Sequence, residues 1–319
     1  MRALSSERIP GEETGEFSGQ FWDDVGERMR EKEAELRVRF DPDLPLMLRL
    51  DGHKFSTLTR SCHKPYDPAV HVAMMRTAAR VAEEFRPVAC YVCSDEITLL
   101  FLPRSDSDRK EGKGVPFGGK AEKLVSLASG CASAAFTHYF QQEPPAGAEQ
   151  PGIAYFDGRA FNVPDYREAA LNICWRVADC QRNSRSGLGH HFLPRGSIQR
   201  QSSHKLASRV QELYGIDYRR HLPPWYRAGT LMKSCQRRHA GFNPITQQTT
   251  EVVRTFTGCV DMETVFTTFN EESSLSLADI LPAVISLEMG DHPFVSLEDY
   301  LQLSQEYSPV SPKTFSRLA

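Results

Sequence analysis

VACYVCSDEITLLF, residues 88–101, is the stretch on which the fold turns. Two apolar runs, Val88–Cys93 and Ile97–Leu102, flank the polar turn Ser94-Asp95-Glu96. Runs of that length around so short a turn read as an antiparallel hairpin. Upstream, Leu46–Leu50 is another apolar run, interrupted by Arg49 and closed by Asp51-Gly52, which reads as a strand with a tight exit. Between them, His71–Phe85 sets Val72, Met75, Ala79 and Ala82 at helical spacing. Downstream, Lys123–Phe140 has the Ala/Ser-rich composition of a helix packed closely on a sheet, and Ile153–Phe161 supplies a fourth strand around Phe156-Asp157-Gly158-Arg159. The order β-α-β-β-α-β predicts an α+β fold, the antiparallel sheet of ferredoxin-like and polymerase-palm domains with helices on one face.

Working outward, residues 1–17 are polar and turn-rich and read as disordered. Phe21, Val25 and Met29 recur every fourth residue, so Phe21–Val38 reads as an amphipathic helix, broken at Asp41-Pro42-Asp43. Residues 103–120 are charged and Gly-rich, the composition of a mobile loop. From Glu168 the pattern is helical through Val177, then basic and irregular to about Arg238. The expected organisation is a catalytic palm over 18–239, with a basic segment at 176–238. An acidic, helical and irregular extension follows over 240–319, with a helix near Leu275–Leu287.

The overall charge of −3 hides a strong division. Residues 240–319 carry three Lys or Arg against eleven Asp or Glu, whereas 176–238 carry thirteen basic residues against three acidic ones. A polyanion would meet the basic stretch first, because neutralising phosphates releases counterions. A solvated charged face would look the same from charge alone. Of 319 residues, 40% are hydrophobic, and no run reaches the roughly 18 apolar residues of a membrane span. The N-terminus shows neither a secretory nor a transit signal, so the chain reads as cytoplasmic or of an organelle matrix. Among its eight cysteines, Cys90 and Cys93 form a C-x-x-C with no second ligand pair, inside a strand. That arrangement reads as core packing with reduced thiols. His190 and His191 are adjacent, and neighbours in sequence rarely point at one metal.

The chemistry follows from topology. In a β-α-β-β sheet the first and third strands are neighbours, so Asp51, at the first strand's end, and Asp95, in the hairpin turn, lie at one edge. Two carboxylates held together repel unless a cation lies between them. A hard divalent ion such as Mg²⁺ takes oxygen ligands and keeps positions open for phosphate. Asp residues at strand ends also commonly cap turns, so the pair alone is weak evidence.

More residues carry the case. LRLDGHKFSTLTR (48–60), HKPYD (63–67), SDEITLLF (94–101) and FDGR (156–159), in that order and at compatible spacing, resemble the tRNA-His guanylyltransferase family. The resemblance runs from about Phe21 to Lys233. FWDDVGERMREKE (21–33), YGIDY (214–218) and RAGT (227–230) fit too, and point to the guanylyltransferase-like branch. It implies that Asp51 and Asp95 ligate two Mg²⁺ ions, with the Gly52 carbonyl as a further ligand. Ser94 and Glu96 would shape that catalytic site. Nucleotide binding would draw on Gly52, His53, Lys54, Phe55, Lys64, Asp67, Ser94 and Asp95, with Lys64 at the triphosphate and Asp67 steadying its loop. Arg49, Arg159, Asn183 and Lys205 would meet phosphate or RNA. Plainer roles exist for several: Asp67 as a helix N-cap, Ser94 as a turn cap, Glu96 in solvent, Lys64 on the surface and Arg159 in a turn.

The activity implied is metal-assisted addition of nucleotides, GTP and others, to the 5′ end of tRNA or another structured RNA in the 3′-to-5′ direction. ATP would first adenylylate the 5′-phosphate, and the enzyme would work as a homotetramer without a membrane. One departure bears on the substrate. Where guanylyltransferases proper carry an HINN-like stretch, this chain reads Gln181-Arg182-Asn183-Ser184. The family histidine is absent, which favours 5′-end repair over tRNA-His selection. Two other classes stay open on sequence alone: a nucleotide cyclase acting without RNA, and a catalytically silent RNA-binding protein.

Overall fold

The computed structural model describes residues 20–35, 37–103, 115–145, 152–243, 247–270, 277–287 and 293–310. The disorder expected at 1–17 and most of the loop expected at 103–120 lie outside them. A seven-stranded antiparallel sheet forms the centre, ordered β4-β1-β3-β2-β5-β6-β7. Its strands are β1 (Leu46–Gly52), β2 (Ala89–Cys93), β3 (Glu96–Phe101), β4 (Phe156–Asn162), β5 (Thr230–Asn243), β6 (Gln248–Asp261) and β7 (Val295–Ser296). The first four make the predicted split motif, with β1 between β4 and β3.

An exposed helix α1 (Gln20–Glu35) precedes the sheet. Helices α2 (Pro68–Phe85) and α3 (Ala121–Gln142) cover one face. The side chain of Asp67 accepts the Ala69 N–H at 2.9 Å and Pro68 occupies the first turn, so α2 starts where the fixed proline φ costs nothing. Its Val72, Met75, Ala78, Val81 and Phe85 are buried against Leu46, Leu48, Leu50 and Ile97. The small residues of α3 let it lie close to β4. A side chain at Gly158 would meet the Ser129 hydroxyl at 2.7 Å, and Ser133 Oγ accepts the Phe156 N–H at 2.9 Å. The glycine in FDGR is therefore a packing requirement.

Alternate residues of the same strands, Met47, Tyr91 and Leu100, belong to a second core on the opposite face. Covering it are α4 (Tyr166–Phe192), α6 (Met262–Asn270) and α7 (Leu277–Ser286). Helices therefore lie on both faces, where the split motif alone predicted one. Sequence reading also stopped α4 too early: it is helical to Phe192, and α5 (Ser203–Tyr214) follows. Ala169, Ala170, Ile173 and Val177 of α4 join the second core, while Leu188 and Phe192 join the first.

The segment from 240 is less detached than expected. The border drawn at 239/240 falls inside β5, which pairs with β6 in unbroken register from Thr230↔Asp261 to Asn243↔Gln248. A last helix, α8 (Leu297–Gln305), buries Tyr300 and Leu301. Thr, Val and Phe at 249–257 are strand formers, where a helical and irregular extension was expected.

Candidate active site

The end of β1 and the β2–β3 turn meet through the backbone. The N–H of Gly52 donates to the Asp95 carbonyl at 2.9 Å, and the His53 N–H donates to the Tyr155 carbonyl at 2.8 Å. Gly52 has no room for a side chain, since a Cβ would stand 2.4 Å from the Phe55 ring. In the ladder, Asp51 lies opposite Glu96 on β3 and opposite Asp157 on β4, which puts three acidic residues in one row. The next row on the same face has Arg49 opposite both Thr98 and Arg159.

Asp95 occupies the two-residue turn that closes the hairpin, after Ser94 in the left-handed region at φ 52°. Burial pushes the Asp95 carboxyl above its ordinary range. Backbone bonding and the Ser94 hydroxyl pull it down, while the charges of Asp51 and Glu96 push it up again. The bond from Gly52 to Asp95 places Asp51 and Asp95 at one edge of the sheet, where the Asp51 charge acts on the Asp95 carboxyl.

Glu96 differs from its neighbour. It is buried, with Oε1 accepting from Arg176 Nε at 2.7 Å and Oε2 from Arg176 Nη2 at 2.5 Å. The Thr98 hydroxyl adds a bond to Oε1 at 3.2 Å. Arg49 stands 3.8 Å from both the Glu96 and the Asp51 carboxylates, too far for a direct hydrogen bond. Arg176 also pairs with Asp179 at 3.2 Å and lies over the Trp175 ring. Both Glu96 oxygens are occupied, so this side chain fastens α4 to the hairpin and does not face solvent as its plainer reading had it. The sequence reading missed Arg176. Its signal was a cation at an i+3 position within the apolar stripe Ile173, Val177 and Cys180, where a charge needs a partner.

The other candidates divide. Phe55 packs into the core against Phe136 and Phe156, at ring distances of 4.8 and 5.1 Å, so its side chain supports the β1 exit and is not a nucleotide contact. His53 and Lys54 are exposed beside it. Asp67 caps α2 and also accepts the His63 N–H at 2.9 Å, tying down the HKPYD loop. Lys64 is exposed, with Nζ 3.4 Å from the Thr59 hydroxyl. It lies near the end of α4, where burial first and the Lys64 charge second lower the His191 pKa. Arg159 is exposed on edge strand β4, 3.6 Å from Asp157. Asn183 on α4 and Lys205 in the first turn of α5 are exposed. Cys90 and Cys93 are buried in β2, and Cys90 is pushed up to about 12 by burial.

Among the described residues, no group of three or more His, Cys, Asp or Glu side chains could hold a metal alone. The donors at the edge are carboxylate oxygens of Asp51 and Asp95 plus the adjacent Gly52 carbonyl, all hard ligands. The two acids repel each other. That set fits Mg²⁺ shared with phosphate oxygens, since Mg²⁺ commonly takes one or two carboxylates and completes its shell from substrate and water.

A split antiparallel sheet that sets two acids side by side, from β1 and from the next hairpin, defines a palm of the nucleotidyltransferase class. Residues 26–164 match the family model described as tRNAHis guanylyltransferase (Thg1). An uncharacterised protein of Acanthamoeba polyphaga mimivirus is 29% identical over 233 residues, covering 68% of this chain and 80% of the relative. A bacterial tRNA(His) guanylyltransferase (Thg1)-like protein, solved with ATP, is 25% identical at a TM-score of 0.58, over 66% of this chain and 88% of its own. A structure of such a bacterial protein with GTP, at 21% identity, has a TM-score of 0.53 over 83% and 100%. The Saccharomyces cerevisiae tRNA(His) guanylyltransferase, at 18% identity, has a TM-score of 0.51 over 63% and 90%. The last two show likeness of fold.

Proposed function

We propose that this chain extends the 5′ end of tRNA or a tRNA-like RNA in the 3′-to-5′ direction, in 5′-end repair. The observation that carries the reading is the placement of Asp51 and Asp95 at one edge of the sheet, joined by the bond from the Gly52 N–H to the Asp95 carbonyl. The absence of the family histidine, with Gln181 in its place, supports repair over selection of tRNA-His.

An RNA 5′-monophosphate has no leaving group, so extension takes two transfers. In the first, a 5′-phosphate oxygen attacks the α-phosphorus of ATP, forming a 5′-adenylate and expelling pyrophosphate. In the second, the 3′-hydroxyl of GTP or another triphosphate attacks the RNA phosphorus, loses its proton and expels AMP. A new phosphodiester results, with a triphosphate at the new 5′ end. Asp51, Asp95 and the Gly52 carbonyl would hold Mg²⁺, whose chemistry here is to neutralise phosphate charge and make the hydroxyl more acidic. Arg49 and Arg159, in register across β1 and β4, supply positive charge one row from the acids. The HKPYD loop, held by Asp67, presents Lys64 to a triphosphate. Of the thirteen cations of 176–238, Arg176, Arg227 and Lys233 are buried, while exposed ones such as Arg182, Arg195, Arg200 and Lys205 are available to an RNA backbone.

The test is incubation with a 5′-truncated, 5′-monophosphorylated tRNA, ATP, GTP and Mg²⁺. Growth at the 5′ end, abolished in Asp51→Ala and Asp95→Ala, is the expected result. Cyclic nucleotide released without RNA would replace this reading with that of a cyclase. Localisation to the cytoplasm and assembly as a homotetramer belong to the same proposal.

A further inference from the structure

Trp175 stands out as an exposed aromatic beside the site, with no role in the chemistry above. Its surface is 51% exposed, whereas Trp225 is 7% exposed and stacked on His71. The guanidinium of Arg176 lies 4.6 Å from the centre of the Trp175 ring and is itself bonded to both oxygens of Glu96. Glu96 is the ladder partner of Asp51. Only the width of one guanidinium separates the indole from the carboxylate row. Backed on one side by a fixed cation, the ring has little freedom still to lose, so a flat group can settle on it without ordering it first.

The surroundings resemble a single-strand nucleic-acid surface, in which cations follow the backbone and aromatic rings take the bases. Leu171, one turn earlier on α4, is 37% exposed, and Phe161 on β4 is 40% exposed. Phe161 shares a strand face with Arg159, which is opposite Arg49. Arg182, two turns after Trp175, is exposed and paired with Asp179. An open platform among arginines suits a chain arriving from solvent, whereas a free mononucleotide is better held by an enclosing cleft.

We propose that Trp175, braced by Arg176, is the stacking platform for the 5′-terminal base of the RNA. The inference rests on the reading of this chain as an RNA 5′-end nucleotidyltransferase and names where that RNA lies. The experiment uses the full-length protein and two 5′-monophosphorylated RNAs that differ only in whether the terminal nucleotide carries its base. In Trp175→Ala, KM for the normal RNA should rise about tenfold with little change in kcat, the range of losing one base–aromatic stack. Trp175→Phe should retain most of the affinity. The abasic RNA should bind wild type about as weakly as the normal RNA binds Trp175→Ala, and should not distinguish the two proteins. Equal affinity of wild type for both RNAs would overturn the proposal. So would an equal loss on both RNAs in Trp175→Ala, or a loss confined to the KM for ATP. Anisotropy with labelled RNA reads the stack without turnover. Base-dependent binding with no nucleotide addition would therefore refute the proposed function and leave the platform standing.

Discussion

Asp95 sits in the turn between β2 and β3, and Glu96 begins β3, yet these adjacent carboxylates are treated in opposite ways. Glu96 is buried under Arg176, with both oxygens bonded and Thr98 adding a third hydrogen bond. Asp95 is only half-buried and lies beside Asp51, and hydrogen bonds from the backbone and Ser94 do not offset the loss of water around it. A satisfied buried charge fixes geometry, whereas a half-buried charge beside another of its own sign is kept where a ligand can complete it. The difference teaches which part of the site is frame and which part is reagent.

The largest effect should come from removing the reagent. Asp51→Ala or Asp95→Ala should lower the rate of 5′ addition by at least about 10³-fold with the far-ultraviolet dichroism unchanged. A tenfold loss would show that the acids assist without being required. Breaking the frame should instead unfold the protein. Arg176→Ala strands a buried carboxylate and should cost about 3–5 kcal/mol in denaturant unfolding, and a loss under about 1 kcal/mol would mean the pair behaves as a surface contact. Gly158→Ala presses a methyl against Ser129 and Val125 and should cost about 1–3 kcal/mol, the range for overpacking.

The subtlest test is of pH. Because the folded-state pKa of Asp95 lies above its unfolded value, its contribution to stability is present at low pH and fades as pH rises through the folded pKa. Asp95→Asn should therefore be as stable as wild type or more so at neutral pH, while being inactive. Nucleotide binding needs the ionised acid. Its acid limb should lie above the ordinary Asp range, as read by Mg²⁺-dependent ATP binding across pH. An acid limb at or below that range would remove the distinction between Asp95 and Glu96.

Sequence made the palm legible because its signals were local. The apolar runs around Ser94-Asp95-Glu96 and before Asp51-Gly52 state the strands, and the neighbour relation of β1 and β3 then places both acids at one edge. The partner of Glu96 was harder to find, because Arg176 lies 80 residues away and only its place on a buried helical stripe betrays it. Phe55 was assigned to nucleotide through its motif, but an aromatic following a tight strand exit had a core to fill. The β5–β6 pair was lost for another reason. Residues 248–255 of β6 are exposed on successive positions, so no inward and outward alternation marks the strand.

The most direct measurement of the central claim is calorimetric titration of ATP into the protein with and without Mg²⁺, for wild type and for Asp51→Ala with Asp95→Ala combined. Binding that depends on Mg²⁺ in wild type and disappears in the double variant is the predicted result. Equal, Mg²⁺-supported binding in both proteins would contradict it.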